Sequence, residues 1–100
     1  MIKLIIENRR PTLDTPYYTR PNLVTDLLNI QKATGKFITE SRNLSEDGLV
    51  FTYEGIWNSI EDYNAFVTHA AVIEYANDRI SYNLENGITI STKIVDYMDW

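Results

Sequence analysis

The spacing of apolar side chains alternates along the chain between the period of a strand and that of a helix. Ile2–Arg9 is rich in isoleucine, and Phe37–Leu44, Leu49–Trp57 and Ile88–Tyr97 alternate between apolar and polar residues. We therefore predict four strands. An Asp-Gly pair at 47–48 lies between the middle two and is typical of a β-hairpin. The second and third strands should thus be direct neighbours.

The first helix is predicted after a long loop. Residues 10–20 carry two prolines and three threonines, which favours a loop over a helix or strand. Pro21 suits the first turn of a helix, and Gly35 suits the position just beyond its end. Apolar residues between them recur at helical spacing and predict one buried stripe. Its members are Leu23, Val24, Leu27, Leu28 and Ile30, with Gln31 beside them.

The interval between the third and fourth strands carries a longer helical pattern. Ser59 and Asp62 have the spacing of a capping box that opens a helix. The pattern continues to Glu85, which is long for one helix in a small domain, so we expect a break within 69–72. Asn86-Gly87 closes the second part. The residues expected to face inward are Tyr63, Phe66, Val67 and Ala70, then Ile73, Ala76, Ile80 and Leu84.

The element order is β-α-β-β-α-β. This order is the split βαβ signature of ferredoxin-like folds. It predicts a single α+β domain over residues 1–100, with a four-stranded antiparallel sheet and helices on one face.

Alternation also separates the two faces of the predicted sheet. Ile2, Leu4, Ile6, Phe51 and Trp57 share a nearly all-apolar side, which should lie under the helices. The opposite side is mixed, with paired charges and more apolar residues than a water-exposed face usually carries. It includes Glu40, Arg42, Ile5, Ile38, Leu44, Val50, Ile56, Val95 and Tyr97. We expect this outer face to meet a second copy in a homodimer, the alternative being a monomer with a partly apolar sheet.

Charge and composition exclude several classes of function. The net charge is −5 and the nine basic residues are scattered, so binding to nucleic acid or to an anionic membrane is not expected. The chain has no cysteine, which excludes thiolate metal sites and cysteine nucleophiles. Its longest apolar run is far too short for a membrane span, and we expect a cytoplasmic protein.

Short motifs resemble those of one known superfamily. Glu7-Asn8-Arg9 ends the first strand, and the stretch 53–59 leads from the third strand into a helix that contains Tyr63, Phe66 and His69. In this the sequence resembles the dimeric α/β-barrel superfamily, and within it the antibiotic-biosynthesis-monooxygenase-like domains. The resemblance implies a ferredoxin-like homodimer that forms a dimeric α/β barrel.

The same resemblance implies a site. Cofactor-independent and haem-degrading monooxygenases of this type carry an asparagine on strand one and a tryptophan in the pocket, which match Asn8 and Trp57. Haem-degrading members hold the haem with a histidine late in the second helical region. Residues 75–77 are Tyr-Ala-Asn here, so we expect no axial haem ligand, no metal site and no cofactor.

Six residues form the candidate ligand pocket between the helices and the sheet. Asn8, Tyr53 and Trp57 would project from the sheet, and Tyr63 and Phe66 from the helix above, with His69 at its edge. Such a set suits a flat aromatic compound and offers no place to hold a phosphate or a sugar acid. The simpler interpretation makes the asparagine a turn residue, the tryptophan a core filler and the histidine a surface residue.

Two function classes therefore stay open. One is a small cofactor-independent monooxygenase-like enzyme, or a binder of a small aromatic ligand. The other is a non-catalytic dimeric binding or structural module. A cavity of ligand size between helices and sheet would favour the first, and a solidly filled seam the second. No catalytic residue can be assigned from the sequence.

Overall fold

The computed structural model describes residues 1–98, and these form four strands and three helices. The strands lie in one antiparallel sheet, with the third and first strands in the centre and the second and fourth at the edges, which confirms the predicted α+β, ferredoxin-like βαββαβ arrangement. The second helical interval is divided in two, as its length suggested. The elements are β1 (Ile2–Arg9), α1 (Asn22–Ala33), β2 (Phe37–Leu44), β3 (Val50–Trp57), α2 (Ile60–Val67), α3 (Ala70–Asn86) and β4 (Thr89–Asp96).

The break between α2 and α3 follows from local capping. Ser59 Oγ accepts a hydrogen bond from the Asp62 backbone N–H at 3.1 Å, which opens α2 as the spacing predicted. After α2 ends, the chain turns at His69, whose Nδ1 accepts from the Ala71 N–H at 3.2 Å and caps α3. Gly87 ends α3 in a left-handed conformation that favours glycine. The predicted break is therefore confirmed.

The inward stripe of α3 differs from the one expected. Ile73, Ile80 and Leu84 are 46, 51 and 79% exposed, so they face away from the sheet. The buried positions are Val72 and Asn83, and the half-buried Tyr75, Ala76 and Arg79 lie on the same side. Apolar spacing was misleading here because the inner face of α3 includes an arginine and an asparagine.

A smaller correction applies to α1. Val24 and Leu28 are buried and Leu27 is half-buried, whereas Leu23 and Ile30 are exposed. The buried stripe of α1 is therefore narrower than the apolar pattern. The helix packs on the core through Val24 and Leu28, and the apolar residues beside this stripe are exposed to solvent.

A β-bulge at the start of β2 changes which face its later side chains occupy. Phe37 and Thr39 pair with consecutive residues of β3, so β2 contains one extra residue between them. Beyond the bulge, Glu40, Arg42 and Leu44 pair with inner-face residues of β3. The expectation that these three lie on the outer face was wrong, because simple alternation cannot register an inserted residue.

The outer face keeps most of its other predicted members. Ile5, Val50, Ile56 and Val95 are half-exposed on this side of the sheet. Lys3 lies among the apolar residues, with its Nζ 3.3 Å from Glu54 and 4.8 Å from the centre of the Tyr97 ring. The face is thus mixed, with an apolar group of residues beside one ion pair.

The hydrophobic core gathers around Trp57, which is 2% exposed. Its ring lies 5.0 Å from that of Phe37, 5.1 Å from Phe66 and 5.8 Å from Tyr63, measured between ring centres. Aromatic pairs at these separations stabilise beyond the area they bury. One side chain therefore joins the sheet, the bulged start of β2 and helix α2. The other members of this cluster are Ile2, Val24 and Leu28.

Replacing Trp57 by alanine should destabilise the fold strongly. We expect the Trp57→Ala variant to lose about 3–5 kcal/mol of unfolding free energy, since it removes a buried aromatic side chain. Trp57→Phe keeps a ring in contact with its neighbours and should cost clearly less. Urea denaturation followed by far-UV circular dichroism measures both. A loss below about 1 kcal/mol for the alanine variant would contradict a core role.

Candidate ligand-binding cavity

A cavity of about 510 Å³ lies between the inner face of the sheet and the helices. Its walls come from all four strands below and from all three helices above, and the loop 10–20 closes one side. Ligand pockets typically occupy about 300–1,000 Å³. The seam between helices and sheet is therefore open to a small molecule rather than solidly filled.

Five of the six candidate residues lie in the wall of this cavity. They are Asn8, Tyr53, Trp57, Tyr63 and Phe66. The Asn8 amide donates to the Phe51 carbonyl across the sheet at 3.2 Å, so one of its N–H groups is engaged within the fold. Burial raises the pKa of Tyr63, which keeps its hydroxyl protonated over the physiological range. These residues contribute flat rings and a few polar groups.

The structure places the sixth candidate, His69, outside this cavity. His69 is exposed at the cap of α3 and lies beside a separate hollow of about 120 Å³, which Leu27, Lys36 and Phe66 also line. The chain turns at this residue, and the turn directs it away from the sheet. The cavity wall within residues 1–98 consequently contains no histidine.

The loop 10–20 supplies aromatic residues that sequence reasoning missed. Tyr17 lies against Phe51 with ring centres 5.4 Å apart, and Tyr18 lies 5.9 Å from Tyr75. The loop is held in place by Arg10, which donates to the Gly48 carbonyl at 2.9 Å and the Thr15 carbonyl at 3.0 Å. Its unusual length and its two tyrosines were the available signals, since long ordered loops often carry functional residues.

A charged network on β2 and β3 borders the cavity. Arg20 donates two hydrogen bonds of 2.8 Å to the two carboxylate oxygens of Glu40. The Tyr53 hydroxyl donates to the same carboxylate at 2.6 Å, and Arg42 lies 3.4 Å from it. The bidentate geometry is the strong form of an arginine–carboxylate pair. The bulge makes this network possible, because it directs Glu40 inward.

These contacts shift the acidity of the groups involved. The hydrogen bonds from Arg20 lower the pKa of Glu40 to about 2, against the opposing effect of burial. Burial, and then the hydrogen bond to Glu40, raise the pKa of Tyr53. Tyr53 therefore stays a hydroxyl donor and cannot serve as a base near neutral pH. Near neutral pH, Glu40 is therefore ionised and Tyr53 is protonated, and the network acts as a structural ion pair.

The remaining polar groups of the wall lie on α3. Arg79 stacks on Tyr75 with its guanidinium 5.3 Å from the ring centre. The Arg79 Nε–H and the Asn83 Nδ2 group are buried, and neither has a hydrogen-bond acceptor among residues 1–98. Asn83 is only 5% exposed. Buried donors are nearly always paired, so this pair marks an exception that calls for an explanation.

The ionisable side chains of the wall are all tyrosines and arginines. Arg20, Arg42 and Arg79 line the cavity, and no lining residue within 1–98 is a carboxylate or a histidine. The same part of the chain contains no cluster of side chains suited to a metal ion. None of its helices combines the length and apolar character needed to cross a membrane.

The Glu40 carboxylate should make the free energy of unfolding decrease at acid pH. Its pKa falls from the usual 4.5 to about 2 on folding, so it stabilises the fold above pH 4.5 and loses that effect as pH falls towards 2. Glu40→Gln should cost about 1–2 kcal/mol at pH 7 and flatten the decline below pH 4.5. Urea titrations at pH 7, 4.5 and 3 measure this.

The control for this prediction is Glu46→Gln at the exposed tip of the hairpin. It should leave both the stability at pH 7 and its acid decline unchanged. Equal acid declines in the wild type and Glu40→Gln would show that the carboxylate carries no special stabilisation.

Comparisons with known proteins show the fold. The sequence matches no protein-family model and no curated protein. Among solved structures, it is similar to SnoaB, a cofactor-independent oxygenase from Streptomyces nogalater, with a TM-score of 0.65 and 7% identity over 99% of this chain and 94% of that one. An antibiotic biosynthesis monooxygenase gives a TM-score of 0.61 and 12% identity over 99% and 100%.

A third similar structure is a dimeric protein of ferredoxin-like fold from Bacteroides fragilis. Its TM-score is 0.51, with 10% identity over 96% of each chain. The chain thus has the fold of the antibiotic-biosynthesis-monooxygenase-like proteins, which confirms the resemblance drawn from the sequence. Identities this low establish a shared fold and leave the reaction to be argued from the site.

Proposed function

We propose that this chain binds a planar aromatic small molecule in the cavity between sheet and helices. The observation that supports this most directly is a cavity of about 510 Å³ with eight aromatic residues in its wall. A non-catalytic structural module would gain stability by filling this seam, as protein interiors are normally close-packed. The aromatic residues are Tyr17, Tyr18, Phe51, Tyr53, Trp57, Tyr63, Phe66 and Tyr75.

Cofactor-independent oxygenation is the reaction class we propose for such a ligand. The fold similarity to SnoaB supports it as an analogy. In such a reaction one oxygen atom of O₂ joins a carbon of the substrate, the other leaves as water, and the substrate supplies the electrons. The wall offers tyrosine and arginine as its ionisable groups, so the substrate itself must carry an acidic proton.

Ligand binding can be tested by filling the cavity. Ala76 is half-buried on α3 in the cavity wall, so Ala76→Phe should occupy ligand space. In a Trp100→Phe variant, Trp57 is the single remaining tryptophan of the sequence, so tryptophan fluorescence reports on it alone. We expect 2-naphthol or a similar planar compound to quench it, and Ala76→Phe to weaken that quenching at least tenfold. Ala33→Phe, at the exposed end of α1, is the matched control.

The same variants separate binding from catalysis. Oxygen uptake with phenolic polycyclic compounds, in the presence of a chelator, should depend on an open cavity and disappear in Ala76→Phe. Ligand binding without oxygen uptake would show that the protein binds the aromatic compound and does not oxygenate it. If no compound of an aromatic library quenches Trp57 in the control protein, the proposed function is wrong.

We also propose that the outer sheet face joins two copies of the chain. Ile5, Val50, Ile56 and Val95 give this face an apolar centre, and Lys3 and Glu54 balance each other within it. Glu40, Arg42 and Leu44 lie on the inner face, so the proposed interface carries fewer charges than the sequence pattern predicted. The dimeric protein of similar fold from Bacteroides fragilis supports the proposal.

Light scattering at micromolar concentration tests the dimer. We expect twice the 11.6 kDa chain mass for the wild type. Val50→Asp should shift it towards the monomer, because an unpaired charge would be buried at the interface. Leu84→Asp places the same charge on the exposed side of α3 and should leave the mass unchanged. A wild-type mass of 11.6 kDa throughout would exclude this dimer.

A further inference from the structure

Positive charge is concentrated in the cavity of an otherwise acidic protein. The chain has a net charge of −5 and five arginines. Three of those arginines line the cavity, and the described lining contains no acidic residue. Glu40 compensates Arg20 and Arg42, and Arg42 is exposed, so the arginine that calls for an explanation is the third, Arg79.

The three arginines are not equivalent. Arg20 is satisfied by its bidentate pair with Glu40, and Arg42 lies at 3.4 Å from the same carboxylate. Arg79 has no carboxylate within ion-pair distance among the described residues, and it rests on the ring of Tyr75. One cation of the wall is therefore available to a ligand.

Arg79 is accompanied by a second unpaired donor. Asn83 lies one helical turn further along α3, on the same face of the helix, because residues four apart are neighbours. The Arg79 Nε and the Asn83 Nδ2 are both buried without an acceptor within residues 1–98. Each unmade hydrogen bond destabilises the ligand-free protein. Both side chains line the cavity, but neither of these nitrogen atoms is exposed to it in this conformation. A ligand oxygen that accepted from both groups after a rotation of each side chain would remove this cost.

We infer that the ligand is an aromatic carboxylate whose acid group lies against Arg79 and Asn83. This inference rests on the proposed binding of an aromatic compound and adds the chemical class and orientation of that compound. A carboxylate suits the site because its two oxygens match the planar edge of a guanidinium, which includes Nε–H. The aromatic part would then lie among the aromatic side chains that line the rest of the cavity.

The ligand's charge also fits the cationic character of the described wall. A carboxylic acid is ionised at neutral pH before it enters, so it meets the Arg79 guanidinium as an anion without a proton transfer in the cavity. The sequence pattern suggested no place for a phosphate or a sugar acid. That expectation was based on residues of the sheet and α2, and it did not include the arginine and asparagine on the inner face of α3.

A matched pair of ligands tests the inference. We expect 2-naphthoate to bind at least tenfold more tightly than neutral 2-naphthamide, measured by Trp57 quenching or calorimetry. Arg79→Gln should weaken 2-naphthoate about 10- to 100-fold, the range of a charge-assisted hydrogen bond. It should change 2-naphthamide less than about threefold, because both ligands use the same aromatic contacts.

Two further variants control for charge and for geometry. Arg9→Gln removes a positive charge at the exposed end of β1 and should leave both affinities unchanged. Arg79→Lys keeps the charge without the planar donor edge, so it should restore only part of the preference for 2-naphthoate. Loss of affinity for both ligands alike in Arg79→Gln would indicate a structural role and overturn the inference.

Asn83 provides a readout that a purely structural residue would not give. Asn83→Leu replaces a buried unpaired amide by an apolar group of similar size. It should raise the melting temperature of the ligand-free protein by about 5 °C and reduce the preference for 2-naphthoate. A lower melting temperature with an unchanged preference would show that the amide serves the fold alone.

The outcomes separate the two proposals. If neither 2-naphthoate nor 2-naphthamide nor any neutral aromatic compound binds, the proposed function fails. If the two probes bind with equal affinity and Arg79→Gln changes neither, the aromatic cavity stands and the carboxylate inference is overturned. A preference for 2-naphthoate that Arg79→Gln and Asn83→Leu both remove establishes the acid site.

Discussion

The ion pair between Arg20 and Glu40 holds together the parts of the molecule that surround the cavity. Arg20 comes at the end of the loop 10–20, Glu40 lies on β2, and Tyr53 joins them from β3 through a hydrogen bond of 2.6 Å. The pair thus fixes the loop, the start of α1 and the edge of the sheet in one arrangement. Because both charges are largely removed from water, the loss of either partner would leave the other poorly compensated.

The local elements were predictable because their signals are local. An Asp-Gly turn, a Ser-to-Asp capping pair and the glycines at 35 and 87 each act over a few residues. They predicted the strands, the hairpin and the break between α2 and α3, and the resulting element order predicted the ferredoxin-like fold. The alternation of β1 and β3 also placed Asn8, Tyr53 and Trp57 on the side of the sheet that the cavity occupies.

Two of the errors arise where the chain departs from regular alternation or from an apolar inner face. The bulge in β2 can be recognised only from its pairing with β3. The alternation of residues along β2 therefore predicted the wrong face of the sheet for Glu40 and Arg42. The side of helix α3 that faces the sheet was predicted wrongly, because Arg79 and Asn83 occupy positions that an ordinary core would give to apolar residues. Sequence rules fail most often where a protein departs from optimal packing, and such places are commonly functional. Both errors fall on the wall of the cavity.

The extra residue at the bulge has a consequence for how this fold can diverge. Deleting one residue between Phe37 and Thr39 would reverse the direction of every later side chain on β2 while leaving the strand in the sheet. A relative with that deletion would present its equivalents of Glu40 and Arg42 on the outer face of the sheet and neutral residues on the inner face. A single codon gained or lost at this point can therefore remove charge from the cavity without any substitution in its wall.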